Sequence, residues 1–180
     1  MSVGEVSALR HLVPLLTPHA DVVISATTDT GYRRACELFD SVATITRYPL
    51  DFSGAVRRFL DAVKPTAVAL VELEVWPNFV DECRRRGIPV SIISGRLSAR
   101  SFKGYRRIRG FFSRRLAGLR FIAAQDQDYA QRFIDLGADP ASVQVLGSMK
   151  WDAARIELTP VYGSAQLADV MGIDTSRPII

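Results

Sequence analysis

A parallel α/β sandwich is the fold class this sequence predicts, and three observations predict it. Short apolar runs rich in Val, Ile, Leu and Ala recur along the 180 residues and read as buried strands. Longer segments with apolar positions at helical spacing lie between them, and Gly or Pro punctuates the joints, as at Pro65, Gly87, Gly137 and Pro140. Strands alternating with helices imply βαβ units with right-handed crossovers, and so a Rossmann-like parallel sheet sandwich.

The elements follow in order. A helix opens at Gly4-Glu5 with Val6, Leu9, Leu12, Val13 and Leu16 on one face. Residues 22–26 read as a strand, 31–39 as a helix and 42–46 as a strand. The helix 52–63 gathers Ala55, Val56, Phe59, Leu60 and Val63 on one side. The run 67–71, bounded by Pro65, reads as a strand buried on both faces. The helix 77–86 starts on Pro77, where a missing N–H is harmless, and stops at Gly87. After the strand 89–94, a long basic helix is expected over 101–119. Its stripe of Phe102, Tyr105, Ile108, Phe112, Leu116 and Leu119 is expected to face the core, with its arginines turned outward. A strand at 121–124, a helix at 128–136 ended by Gly137, and a strand at 143–146 complete the alternation. No strand precedes the first helix, and Arg177-Pro178-Ile179-Ile180 reads as the opening of another buried strand, so the expectation is a domain truncated at both ends.

Composition bounds the function. Hydrophobic content of 48% and charged content of 23% fit a globular chain of one domain and a fraction of a second. No apolar stretch approaches the ~18 residues of a membrane-spanning helix, and Glu5, Arg10 and His11 interrupt any signal-peptide core. Cys36 and Cys83 suit neither a disulfide framework nor a zinc site, which points to a reducing compartment and no metal. Charge is uneven. From Arg84 to Gln125 there are twelve Lys or Arg and no Asp or Glu, in a chain of net charge +4. Such a block implies an anionic partner, either phosphate groups or an anionic membrane surface; sparse aromatics and the absence of a nucleic-acid motif argue against nucleic acid.

Candidate site residues lie where strands end. Glu72 and Glu74 follow the strand 67–71 at the carboxyl edge where open α/β sheets bind ligands; the competing reading makes them solvated acids before the next helix. Strand alternation would send both to the same side. Arg96 follows the strand 89–94, where a guanidinium can hold a phosphate bidentately. Thr28, Thr30 and Gly31 open a helix, a geometry that either presents N–H groups to an anion or caps the helix. Lys150 ends the last strand and faces either a cleft or a linker. His11 and His19 have no partner at ligand spacing.

Four ordered motifs carry a family resemblance: Ser2-Val3-Gly4-Glu5, Glu72-Leu73-Glu74-Val75-Trp76-Pro77-Asn78, Gly95-Arg96-Leu97-Ser98-Ala99-Arg100-Ser101, and Gly147-Ser148-Met149-Lys150-Trp151-Asp152. Thr28-Asp29-Thr30-Gly31 and Tyr48-Pro49-Leu50-Asp51 agree with them. Together they resemble the 3-deoxy-D-manno-octulosonic acid (Kdo) transferases, the lipid A glycosyltransferases of Gram-negative bacteria. Gly95, Ser94, Trp151 and Asp29 stand where the family usually has Ala, Asn, Phe and Pro.

The resemblance implies the N-terminal domain of a GT-B glycosyltransferase, with residues 1–152 as a Rossmann-like acceptor-binding domain. Residues 153–180 would then be a linker and the start of a C-terminal nucleotide-sugar domain. It implies transfer of Kdo from CMP-Kdo to a lipid A precursor without a cofactor, at the cytoplasmic face of the inner membrane, with this chain inactive alone. It assigns Glu5 as general base and Glu72 as a second functional acid, with Ser2, Gly4, Thr28, Thr30, Gly31, Arg96 and Lys150 binding substrate. Two other classes remain open to the sequence: another GT-B transferase or sugar-nucleotide epimerase, and a non-catalytic anionic-lipid binding module.

Overall fold

The computed structural model describes residues 1–152 and 169–172. Six short parallel strands alternate with helices, as the pattern predicts. The chain runs α1 (Val3–Ala8), α2 (Leu12–Leu16), β1 (Val23–Ala26), α3 (Asp29–Phe39), β2 (Thr44–Arg47), α4 (Ser53–Val63) and β3 (Val68–Val71). It continues through α5 (Pro77–Arg85), β4 (Val90–Gly95), α6 (Ala99–Arg107), α7 (Arg109–Ala117), β5 (Phe121–Ala124) and α8 (Gln127–Leu136). A 3₁₀ turn (Pro140–Ser142), β6 (Val143–Val145) and α9 (Met149–Asp152) follow. The expected strand opening at residues 177–180 lies outside the described residues, as does most of the expected linker.

Local chemistry sets the helix ends. Thr28, Ser98 and Asp126 accept the backbone N–H three residues on, at Gly31, Ser101 and Tyr129, and so satisfy donors that the first helical turn leaves unpaired. At the far end of α8, Gly137 takes φ +113°, and a Cβ there would lie 2.6 Å from that of Ser113, so both backbone and packing require glycine.

The strands form two parallel sheets, β1-β2 and β3-β4-β5-β6. Between β1 and β3 the ladder is interrupted. Met1 sits between their carboxyl ends, its nitrogen 2.7 Å from Thr27 Oγ1 after β1 and 3.3 Å from Glu74 Oε2 after β3. The larger core joins β3, β4 and β5 to α4, α5, α7 and α8 through Leu60, Phe79, Ile92, Leu116, Ile122 and Phe133. A second core holds α1 and α3 on β1 through Val6, Leu9, Ile24, Ala35 and Phe39, and Val71 of β3 joins it.

Four expectations need correction. The helix opened at Gly4-Glu5 is two short ones, α1 and α2, parted by a turn at residues 9–11, and Leu16 at its far end is exposed. The helix 101–119 is two helices: Ile108 leaves helical geometry at φ −117°, ψ 29°, flanked by Gly104 and Gly110, which favour helix poorly. The break turns Ile108 out to solvent, while Phe112, Leu116 and Leu119 remain buried and Phe102 and Tyr105 pack partly against the core. The strand 67–71 is not buried on both faces: β3 starts at Val68, forms the outer strand of its sheet and leaves Ala69 exposed. Alternation also does not carry through Glu72 to Glu74. The strand ends at Val71 and Glu72 adopts φ +58°, a left-handed turn that sends the two carboxylates to different partners.

Candidate active site on the carboxyl edge

Every catalytic or binding candidate lies on or beside the carboxyl ends of the strands, and two groups form there. The first is acidic. Glu5 occupies the third position of α1, where its Oε2 accepts the Ser2 N–H at 2.8 Å. This is half of a capping box, so Ser2 and Glu5 shape the helix start whatever else they do. Glu5 Oε2 also lies 4.0 Å from the Met1 nitrogen, and Glu74 Oε1 lies 3.2 Å from the same atom. Glu74 also accepts from Thr27 Oγ1 at 3.3 Å. The family resemblance assigns Glu72 and not Glu74 as the second functional acid; the left-handed turn at Glu72, which separates the two carboxylates, is what a sequence pattern does not reveal.

The second group is cationic around Glu72. Lys150 Nζ donates to Glu72 Oε1 at 2.6 Å. It can do so because the chain leaves β6 at the far edge of the sheet and returns as α9 to pack on α1, with Met149 in the second core. Lys150 therefore reaches the ledge rather than trailing into a linker. Arg96 lies beyond: the Tyr129 hydroxyl, and secondarily the charge of Glu72, hold its guanidinium above the ordinary arginine range. The Arg132 guanidinium covers the Tyr129 ring at 5.4 Å.

Ser94, buried and polar, anchors this second group. It takes φ +50° at the end of β4, beside the matching left-handed turn at Glu72. Gln125 Nε2 holds it by donating to Ser94 O at 2.9 Å and Ser94 Oγ at 3.1 Å, and Glu72 N donates to Ile93 O at 3.0 Å. Two adjacent strands thus end in sterically unfavourable turns, a kind of strain that clusters at functional sites. Neither Ser94 nor Gln125 was singled out from sequence. The Ser94-Gly95 departure from the family's Asn-Ala was the available signal. Gly95 itself is crowded, since a Cβ there would meet Phe133 Cε2 at 3.1 Å.

The remaining motifs have structural employment. Thr28 Oγ1 accepts from Gly31 N at 3.0 Å and donates to Met1 O at 3.1 Å, so the Thr28, Thr30, Gly31 turn caps α3 and seats the chain before α1. A Cβ on Gly31 would fall 2.2 Å from Met1 O, which explains the glycine. Gly4 is exposed with nothing near it. Asp51 of Tyr48-Pro49-Leu50-Asp51 caps α5 from a distance, its Oδ2 accepting from Asn78 N at 3.1 Å and its Oδ1 from Phe79 N at 2.9 Å. Tyr48 packs on Phe59, Trp76 and Phe79 beneath the Glu72 loop, and burial pushes its phenol far above the ordinary range.

The ledge is open. Depressions of about 220 and 450 Å³, lined in part by Pro89 and Gly118, lie instead at the amino ends of the strands, opposite the acids. Among the described residues no group of His, Cys, Asp or Glu could hold a metal ion, and no helix is long and apolar enough to cross a membrane.

Solved structures share this architecture. MnaA of S. aureus in complex with UDP superposes with a TM-score of 0.63 at 11% identity, over 95% of this chain and 49% of that one. UDP-GlcNAc 2-epimerase from Neisseria meningitidis bound to UDP-GlcNAc superposes at 0.60 and 16% identity, over 96% of this chain and 50% of that one. At such identities the likeness establishes the fold, a Rossmann-like domain of the GT-B type.

Sequence comparison narrows this to a family. The profile of the 3-deoxy-D-manno-octulosonic-acid transferases (kdotransferases) matches residues 1–153, and the chain belongs to that family. Several relatives carry the name 3-deoxy-D-manno-octulosonic acid transferase, among them two from Haemophilus influenzae and Bordetella pertussis. That of Haemophilus influenzae is 33% identical over 154 residues, 84% of this chain and 36% of the relative. That of Bordetella pertussis is 35% identical over 188 residues, 100% of this chain and 42% of the relative. The chain spans less than half the length of either relative.

Proposed function

We propose that this chain is the acceptor-binding half of a glycosyltransferase that moves Kdo from CMP-Kdo to a lipid A precursor in lipopolysaccharide biosynthesis, working peripherally at the cytoplasmic face of the inner membrane. The observation that carries this reading is the division of the ledge. Glu5 is held at the start of α1 by the Ser2 N–H, while Lys150 pairs with Glu72 and Arg96 lies beside it across the neighbouring strand ends.

The chemistry needs both parts. A hydroxyl of the acceptor's glucosamine disaccharide must lose its proton as its oxygen bonds to the anomeric carbon of Kdo, and CMP departs with the electron pair of the broken anomeric C–O bond. Glu5, fixed by its bond from Ser2 N, is the base that accepts the proton. Arg96 holds an acceptor phosphate, and Glu72, oriented by Lys150, positions the sugar. The donor is bound mainly by the C-terminal nucleotide-sugar domain that the family resemblance implies.

This reading is tested with the 180-residue chain and with a chimera in which it replaces the matching part of the Bordetella pertussis relative. The isolated chain is expected to bind bisphosphorylated lipid A precursor, to lose that binding on Arg96→Ala, and to leave CMP-Kdo unconsumed. The chimera is expected to transfer Kdo. Turnover by the isolated chain, or acceptor binding indifferent to Arg96, would contradict the assignment.

A further inference from the structure

The densest uncompensated charge lies on α6 and α7, outside the mechanism just given. From Ala99 to Ala117 there are seven Arg or Lys and no Asp or Glu. Among the described residues only Arg115 of these forms an ion pair, with Asp81 of α5. Arg100, Lys103, Arg106, Arg107, Arg109 and Arg114 are exposed. Acids on the neighbouring α8 are already engaged, Asp128 by Arg132 and Asp135 by Gln131.

An apolar tip sits among these cations. Ile108 and Phe111, three residues apart at the elbow between the two helices, are 52% and 51% exposed. The break at Ile108 turns that residue of the stripe outward beside Phe111, while Phe112 and Leu116 stay in the core. A Cβ on Gly104 or Gly110 would meet nothing within 4 Å, and the Arg115 guanidinium covers one face of the Phe111 ring at 3.9 Å.

We propose that the α6–α7 elbow is a docking surface for an anionic lipid bilayer. Ile108 and Phe111 enter the boundary between headgroups and acyl chains, and the six free cations meet lipid phosphates around them. Each part is sufficient in scale: a Lys or Arg near an anionic leaflet strengthens binding roughly fivefold, and burying a side chain the size of Ile or Phe strengthens it roughly tenfold or more. A bilayer explains both features, whereas a nucleic-acid backbone explains the cations and offers nothing to the alkyl group of Ile108. The inference deepens the peripheral-membrane reading above but rests on the elbow alone.

The test is co-sedimentation of the 180-residue chain with vesicles of phosphatidylcholine, alone or mixed with phosphatidylglycerol. These contain no lipid A precursor, so the outcome is independent of the acceptor site. Binding is expected to the mixed vesicles only, and to weaken as salt shortens the screening length from ~8 Å at physiological ionic strength. The double variant Ile108→Asp/Phe111→Asp is expected to lose at least roughly tenfold in partitioning with an unchanged circular dichroism spectrum. In Phe111→Trp, the additional emission is expected to shift to the blue and to be quenched by lipid-borne quenchers when vesicles are present. Equal binding to neutral vesicles, an unaffected double variant, a reporter that stays in water on bound vesicles, or binding to single-stranded RNA in preference to mixed vesicles would each overturn the proposal.

Discussion

Lys150 and Glu72 lie 78 positions apart in sequence and 2.6 Å apart in space, the lysine delivered by a segment that crosses back over the sheet to α1. The contact joins two candidates chosen separately from the sequence in one ion pair. It also fixes where the last short helix rests against the first.

The Lys150 side chain is about half exposed, so the pair adds no more than about 1 kcal/mol to stability. Its expected effect on function is larger, because a hydrogen bond to a charged group is worth about 1.5–3 kcal/mol where it orients a reacting partner. Lys150→Met in the chimera is therefore expected to lower kcat/KM roughly ten- to hundredfold with little change in the unfolding midpoint. Steady-state kinetics beside urea unfolding checks this. A variant that loses stability and activity in parallel would make the pair architectural.

Asp51 has the opposite profile. It accepts two N–H groups at the start of α5 and touches nothing on the ledge, so Asp51→Ala is expected to cost about 1–2 kcal/mol of stability, the upper range for a lost helix cap. In urea the midpoint should fall while the slope stays constant. An unchanged midpoint would mean that Pro77 and the aromatic cluster hold the loop without help.

Acid sensitivity has an identifiable source in Glu82. Its carboxyl is held at about 2, against an ordinary 4.5, first by its hydrogen bond from Arg85 and then by Arg86. A depressed carboxyl contributes stability above its unfolded pKa and loses it as pH falls through the folded value, so the contribution should disappear between about 4.5 and about 2. Arg85 is exposed and solvent screens the interaction, so the change should be modest. Thermal midpoints of the parent and Glu82→Gln should differ near neutrality and converge through that window. A constant difference across it would assign the acid response elsewhere.

The alternation of strands and helices was legible because each element repeats a local period, and Pro77, Gly87 and Gly137 mark their boundaries in the sequence. The placement of Glu72 and Arg96 on one edge was legible too, since parallel βαβ order puts strand ends together; Glu5 came from the family resemblance, and whether Lys150 reaches that edge was left open. What was not legible depends on single dihedral angles and distant packing. The left-handed turns at Glu72 and Ser94 separate Glu74 from Glu72 and recruit Gln125. The departure from helical geometry at Ile108 turns one residue of an otherwise core-facing stripe to solvent. Asp51, 27 residues from the backbone N–H it caps in Asn78, carries no local sign of its role.

The central claim is that Glu5 is the base. Gln at the third helical position preserves the capping acceptor for Ser2 N, so Glu5→Gln removes the charge and leaves α1 in place. The decisive measurement is kcat for Kdo transfer by the chimera with and without this substitution. The account predicts a fall of roughly 10²–10⁴, the range for loss of a general base, with acceptor KM and folding nearly unchanged. A kcat close to the parent's would contradict it and leave Glu5 as the first-turn glutamate of a well-capped helix.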